Sequence, residues 1–166
     1  MCLEPQQTNT SMLIVEFNGF LGNNGEVIIK ELVIMPFDRP FNYSKYLFKN
    51  PYNLSQIKNK EQVEQLCDLY NLKWEDGEIE YEELIPILKN HVRFYKMVVT
   101  TGGFKARTLA GLINRSVTIF PFPTDDSTKY EFPCENHSEY TDQCALVKAF
   151  SLRSRLVFDS IDGRKN

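Results

Sequence analysis

The 166-residue sequence contains no run of about 18 apolar residues, so no segment reads as a bilayer-spanning helix. Its first stretch, Met1 to Ser11, is polar and lacks the apolar core of a secretory leader, which argues against export. Cysteine is scarce: four residues, unevenly spaced, do not make a disulfide framework, and a reducing compartment suits them better. Nor is one sign of charge in large excess. A net charge of -3 argues against a strongly basic nucleic-acid binder on composition alone. What remains is an ordinary globular composition, 42% hydrophobic and 25% charged, at a length that buries one full core. The expectation is one domain over residues 12–158 between short tails, 1–11 and 159–166.

The charges are sorted along the chain. Glu61 to Glu83 holds nine acidic residues and one basic residue, Lys73, whereas Leu84 to Thr124 holds Lys89, Arg93, Lys96, Lys105, Arg107 and Arg115 and no acid. A bipolar surface follows. The basic segment suits a phosphate backbone, with Phe94, Tyr95 and Phe104 at hand to stack bases. The plainer reading is a set of solvated cations around a buried strand. The acidic stretch W-E-D-G-E-I-E-Y-E-E lacks the alternating oxygen ligands of a calcium loop and reads as a solvated turn entering a helix.

Period and punctuation give the element order. Met12 to Phe20 and Val27 to Met35 are apolar and β-branched, and N-N-G lies between them, as in a hairpin. Tyr43 to Phe48 is a third short strand. Ser55 stands as N-cap for a helix over Gln56 to Tyr70, with Ile57, Val63, Leu66, Leu69 and Tyr70 as its apolar stripe. Glu80 to Asn90 is a second helix, with Pro86 kinking it or marking a late first turn. Phe94 to Thr100 is a buried strand, Gly102-Gly103 a turn, Phe104 to Ile113 a helix and Val117 to Phe120 a strand. Pro121 to Pro133 is a loop, and Cys144 to Val157 the last helix. This is an α/β order with helices packed on a mixed sheet.

Cys134, His137 and Cys144, in C-E-N-H-S-E-Y-T-D-Q-C, are the residues richest in chemistry. Thiolate sulfur and imidazole nitrogen are the ligands zinc prefers, and a closed structural site takes four of them tetrahedrally. Three candidates are present and one is missing. Cys144 opens the last helix, where the macrodipole favours a thiolate. The alternatives are ordinary buried thiols or a disulfide, with His137 on a surface loop. Cys67 falls in a helical stripe and reads as core. His91 reads as a surface or capping residue, with acid-base work as its other possible role.

The element order resembles an RNase H-like domain of the three-prime-to-five-prime exonuclease type. Such enzymes hold two metal ions between carboxylates, a D-x-E pair on the first strand and two further aspartates. On that pattern the first pair becomes Glu16 and Asn18, the middle aspartate becomes Lys105 and the last becomes Lys148. Two lysines and an amide cannot hold two divalent cations. An exonuclease in another register would use Glu16, Glu31 and Asp38 or Asp142.

A narrower resemblance follows from F-N-G-F at Phe17 to Phe20, K-E-L around Glu31 and the C-x2-H-x6-C-A-L run. Together these are similar to the Maelstrom domain, an RNase H-like family that lacks the catalytic carboxylates and carries a Glu-Cys-His-Cys zinc site. The resemblance covers about Met12 to Val157 and rests on few distinctive residues. It implies an RNase H-like mixed sheet flanked by helices, with structural zinc on Glu31, Cys134, His137 and Cys144. It also implies single-stranded RNA as partner, with cleavage by some members, and silencing-pathway proteins in small-RNA, piRNA-type, control of transposons. The location it implies is a cytoplasmic perinuclear granule or the nucleus. Full-length members of the family carry an HMG-box segment ahead of the domain, and the expectation here is a domain without one.

Physical reasoning bears on Glu31 separately. Its neighbours Val27 to Ile29 and Leu32 to Ile34 are continuously apolar, and a carboxylate in such a strand is costly unless paired or metal-bound. Glu31 is expected on the face of Ile29 and Val33, opposite Lys30. A salt bridge, or exposure on an edge strand, is the alternative. Lys96, Lys105, Arg107 and Arg115 are the expected phosphate contacts. A catalytically inactive scaffold that binds protein through the acidic face, Glu75 to Glu83, or through the terminal helix is the competing function.

Overall fold

The computed structural model describes residues 11–120, 137 and 144–162. The hairpin forms as its pattern dictates. Strands β1 (Met12–Leu21) and β2 (Val27–Pro36) pair antiparallel. Gly25 closes the turn at φ +76°, a left-handed conformation that glycine adopts without steric cost. Both strands are buried almost throughout, because helices cover both faces.

One irregularity in this pairing positions the site. The register steps from Asn18↔Glu31 to Gly19↔Ile29, so Lys30 is an extra residue on β2, a β-bulge. Gly19 is needed there: a Cβ would stand 2.5 Å from the Ile28 carbonyl oxygen. The bulge reverses facing along β2. Ile29 packs with Leu32 and Ile34, whereas Val33 and Met35 pack on the other face. The expectation that Glu31 shares a face with Ile29 is therefore corrected. Strict alternation holds only on one side of the inserted residue.

The remaining strands are β3 (Ser44–Leu47), β4 (Met97–Thr100) and β5 (Thr118–Ile119), and the sheet order is β3-β2-β1-β4-β5. β3 runs antiparallel to β2, while β4 is parallel to β1 and β5 to β4. This five-stranded mixed sheet, flanked by helices, is compatible with an RNase H-like fold. β4 starts later than its apolar pattern suggests. The Tyr95 amide donates to the Val92 carbonyl, and Phe94 is left 68% exposed.

The helices are α1 (Lys60–Tyr70), α2 (Leu84–Val92), α3 (Gly103–Ile113) and α4 (Ala145–Asp162). Ser55 does not cap α1. It lies in a short 3-10 turn, Leu54–Gln56, closed by a capping box between Asn53 and Gln56, and Asn59 caps α1 by accepting from the Gln62 amide at 3.1 Å. Pro86 sits in the first turn of α2, where its missing N–H costs nothing. α4 runs past Val157 to Asp162. Among the described residues no helix is long and apolar enough to cross a membrane.

Two apolar layers hold the sheet. Leu13, Val15, Leu32 and Ile34 meet Leu84, Leu88, Leu109 and Ile113 of α2 and α3. Ile14, Val33, Met35 and Val99 meet Ala145, Leu146, Ala149 and Leu152 of α4. A smaller cluster of Phe20, Ile28, Val63 and Trp74 seats α1. Burial on both faces makes any polar side chain of β1 and β2 expensive unless partnered, which directs attention to Glu16, Asn18, Lys30 and Glu31.

Candidate metal centre and its flanking lysines

Glu31, His137 and Cys144 converge. One ligand atom from each, carboxylate oxygen, imidazole nitrogen and thiol sulfur, lies within 4.8 Å of the others, so the three could hold a metal ion. Glu31 is fully buried and presents its two oxygens to different partners. Oε1 accepts from the Asn18 amide at 2.9 Å and from the Ala145 backbone amide at 2.8 Å, while Oε2 lies 2.6 Å from Nε2 of His137. Ala145 is the first residue of α4, so the carboxylate also meets the positive end of that helix.

The imidazole is oriented from its other side. His137 Nδ1 lies 2.6 Å from the Tyr70 carbonyl oxygen, which has no donor of its own and so fixes the proton on Nδ1. Tyr70 is the last residue of α1, and its carbonyl is among those a helix end leaves to outside donors. Nε2 is then the ring atom directed at Glu31. A neutral Nε2 lone pair and a carboxylate oxygen 2.6 Å apart repel unless a cation stands with them, either a proton or a metal ion. Cys144 beside them supplies the soft third donor that suits the metal. A ring N–H held by a backbone carbonyl is the usual support of a ligating histidine. The donor set and its supports therefore fit a metal ion. Cys134 and Asp142 lie outside the described residues.

Lys30 is not the partner of Glu31. Its ammonium donates to the Phe48 carbonyl at 2.9 Å, Asn50 Oδ1 at 2.9 Å and the Trp74 carbonyl at 2.8 Å, and also contacts the Asp76 carbonyl. Burial pulls its pKa down to about 8. The bulge that turns Lys30 toward these carbonyls leaves the carboxylate to the imidazole.

Glu16, Asn18, Lys105 and Lys148 also converge. Glu16, fully buried, lies 2.5 Å from the Lys105 ammonium and accepts from the Thr101 amide at 2.8 Å and the Thr101 hydroxyl at 2.7 Å. The Lys148 ammonium donates to Asn18 Oδ1 at 3.1 Å and stands 5.9 Å from the centre of the Tyr70 ring. Burial first, and the neighbouring Lys105 next, bring the Lys148 pKa down to about 8. Two ammonium groups thus stand at the carboxyl ends of β1 and β4. Asp38 follows the far end of β2, where the Phe37 amide donates to the Met12 carbonyl, and the last strand residue, Pro36, is already about 17 Å from Glu31 at roughly 3.3 Å per residue, so the two share no metal.

The four expected phosphate contacts divide between two places. Lys105 and Arg107 lie at the start of α3, whereas Lys96 precedes β4 at its other end. Arg115 joins Lys96 there, its guanidinium donating to the Val92 carbonyl at 2.9 Å and the Lys96 carbonyl at 2.8 Å. Phe104 is 52% exposed beside Lys105, and Phe94 lies under the Arg93 guanidinium at 4.5 Å. His91 is half-buried with Nε2 2.8 Å from the Tyr46 hydroxyl, and burial lowers its pKa. The Tyr70 carbonyl and the Ala145 amide support the site through backbone atoms, which no side-chain pattern marks. No protein-family model matches the chain, and no curated protein matches it either.

Proposed function

We propose that this chain is a single-stranded RNA-binding domain of the Maelstrom type, RNase H-like in fold. In this reading a structural zinc sits on Glu31, Cys134, His137 and Cys144. The observation that carries it is a pair of ammonium groups at the carboxyl ends of β1 and β4, where Lys105 lies against Glu16 and Lys148 against Asn18. Cations there repel magnesium and attract phosphate, which supports binding over two-metal hydrolysis. With four protein ligands zinc has no open position for an activated water, so it would brace α4 against β2. The same reading assigns the protein to small-RNA silencing of transposons, in perinuclear granules or the nucleus.

The test is titration of labelled single-stranded and duplex RNA at several salt concentrations. Single strands should bind more tightly, and four phosphate contacts should give a log–log salt slope of roughly -3. Lys96→Glu and Arg107→Glu should each lower that slope. Salt-independent binding, or none, overturns the reading.

A second reading has its own observation. A cleft of about 650 Å³ is lined by Asp68, Glu75, Asp76 and Glu78, acids that suit a basic peptide and hence a protein scaffold. It predicts a protein partner retained after RNase treatment and lost on charge reversal of Glu75 and Glu78.

A further inference from the structure

A cavity of about 240 Å³ opens beside the metal cluster, and Asn18, Gln62, Tyr70, Phe104, Lys105 and Lys148 are among the residues that line it. Its two ammonium groups differ in their partners, and the buried Glu16 and Glu31 carboxylates act on Lys148 only from beyond contact distance. Lys105 is paired with Glu16, and the Oε2 of Glu31 is turned to His137. Lys148 has a neutral amide oxygen at 3.1 Å and a ring centre at 5.9 Å, with no carboxylate at ion-pair distance among the described residues. The cavity is smaller than the roughly 300 Å³ at which sites for whole drug-sized ligands begin, so it suits one small charged group with part of a flat ring. Phe104 at its rim, 52% exposed, offers a face for that ring.

We propose that this cavity receives a phosphate monoester carried on a nucleoside, with the phosphate on Lys148 and the base against Phe104. The inference rests on the single-strand-binding reading and adds to it a seat for a strand end. The ligand chemistry has two sources, a terminal phosphorylated nucleotide or a free nucleoside monophosphate. Asn18 would couple the cavity to the metal cluster, since one amide touches both Lys148 and Glu31.

The test uses the full, zinc-supplemented chain and calorimetric or fluorescence titration with adenosine, adenosine 5′-monophosphate, adenosine 3′-monophosphate and inorganic phosphate. Short single-stranded oligonucleotides with a phosphate or a hydroxyl at each end complete the set. A monophosphate should bind at least tenfold more tightly than adenosine, and Lys148→Gln should abolish that preference. Phe104→Ala, at an exposed position, should weaken it about fivefold or more and serves if Lys148→Gln does not fold. A preference shown only by oligonucleotides assigns the seat to strand ends, and one shown by mononucleotides assigns it to free nucleotides. Equal affinity for adenosine and its monophosphates, with no effect of terminal phosphate on oligonucleotides, overturns the proposal. Oligonucleotides that bind in a salt-dependent way regardless of their ends would overturn the cavity assignment and leave the RNA-binding reading standing.

Discussion

Asn18 donates its amide to Glu31 Oε1 at 2.9 Å, and the other end of that amide accepts from the Lys148 ammonium at 3.1 Å. The side chain is a polar spacer between a buried acid and a half-buried base, with its nitrogen and oxygen each facing the only partner type it can serve. A carboxylate in its place would lose the donor to Glu31 and repel it. Asn18→Asp should therefore cost about 1–3 kcal/mol, and thermal unfolding should move down by several degrees.

The Glu31–His137–Cys144 cluster makes a sharper prediction. Metal analysis of the purified protein should find close to one bound zinc, and chelation should lower the melting temperature. His137→Gln and Cys144→Ser should lose the metal and melt roughly 10 °C lower, because each leaves a buried acid without its counter-cation. Unchanged melting with chelator and no bound metal would mean that the Glu31–His137 contact is held by a proton alone.

Buried Glu16 and half-buried Lys105 form a second pair that can be tested by a double-mutant cycle. Lys105→Met strands a fully buried carboxylate and should destabilise by about 3–5 kcal/mol. Adding Glu16→Gln should recover much of that loss, since an amide needs no cation. Additive losses in denaturant melts would show that the pair is not coupled.

His91 gives the pH dependence. Burial lowers its pKa below the ordinary 6.5, so the unfolded chain binds this proton more readily than the folded one. Its contribution to stability is present above about pH 6.5 and is lost as pH falls toward the folded value. An NMR titration should place its midpoint below 6.5, and His91→Gln should flatten the stability profile in that acidic window. A midpoint at or above 6.5 would contradict the burial.

Local patterns made part of this molecule legible. Two apolar, β-branched runs around N-N-G gave the hairpin, and the C-x2-H and Cys-Ala-Leu spacings picked out His137 and Cys144. The unbroken apolar context of Glu31 marked it as a carboxylate in need of a cation. What escaped is non-local or backbone-borne. Asn53 and Asn59 both suit a cap, and only packing decides that the chain makes a 3-10 turn before α1 begins. The Tyr70 carbonyl carries no side-chain signature, and its role depends on a residue 67 positions away. Asn18 reads in sequence as a lost aspartate, whereas in the fold it is a connector.

The extra residue at Lys30 has a consequence for how the chain tolerates change. It works as a phase shift within one strand: Ile28 before it faces the α1 cluster, while Val33 and Met35 after it face α4. Deleting Lys30 would restore regular pairing and good β-propensity, yet the two halves of β2 would fall out of step. Either Glu31 would rotate away from His137 or Ile28 would leave its seat beside Trp74. A one-residue deletion that improves the local sheet should thus cost more than most substitutions at the cluster, because it changes which side chains arrive together.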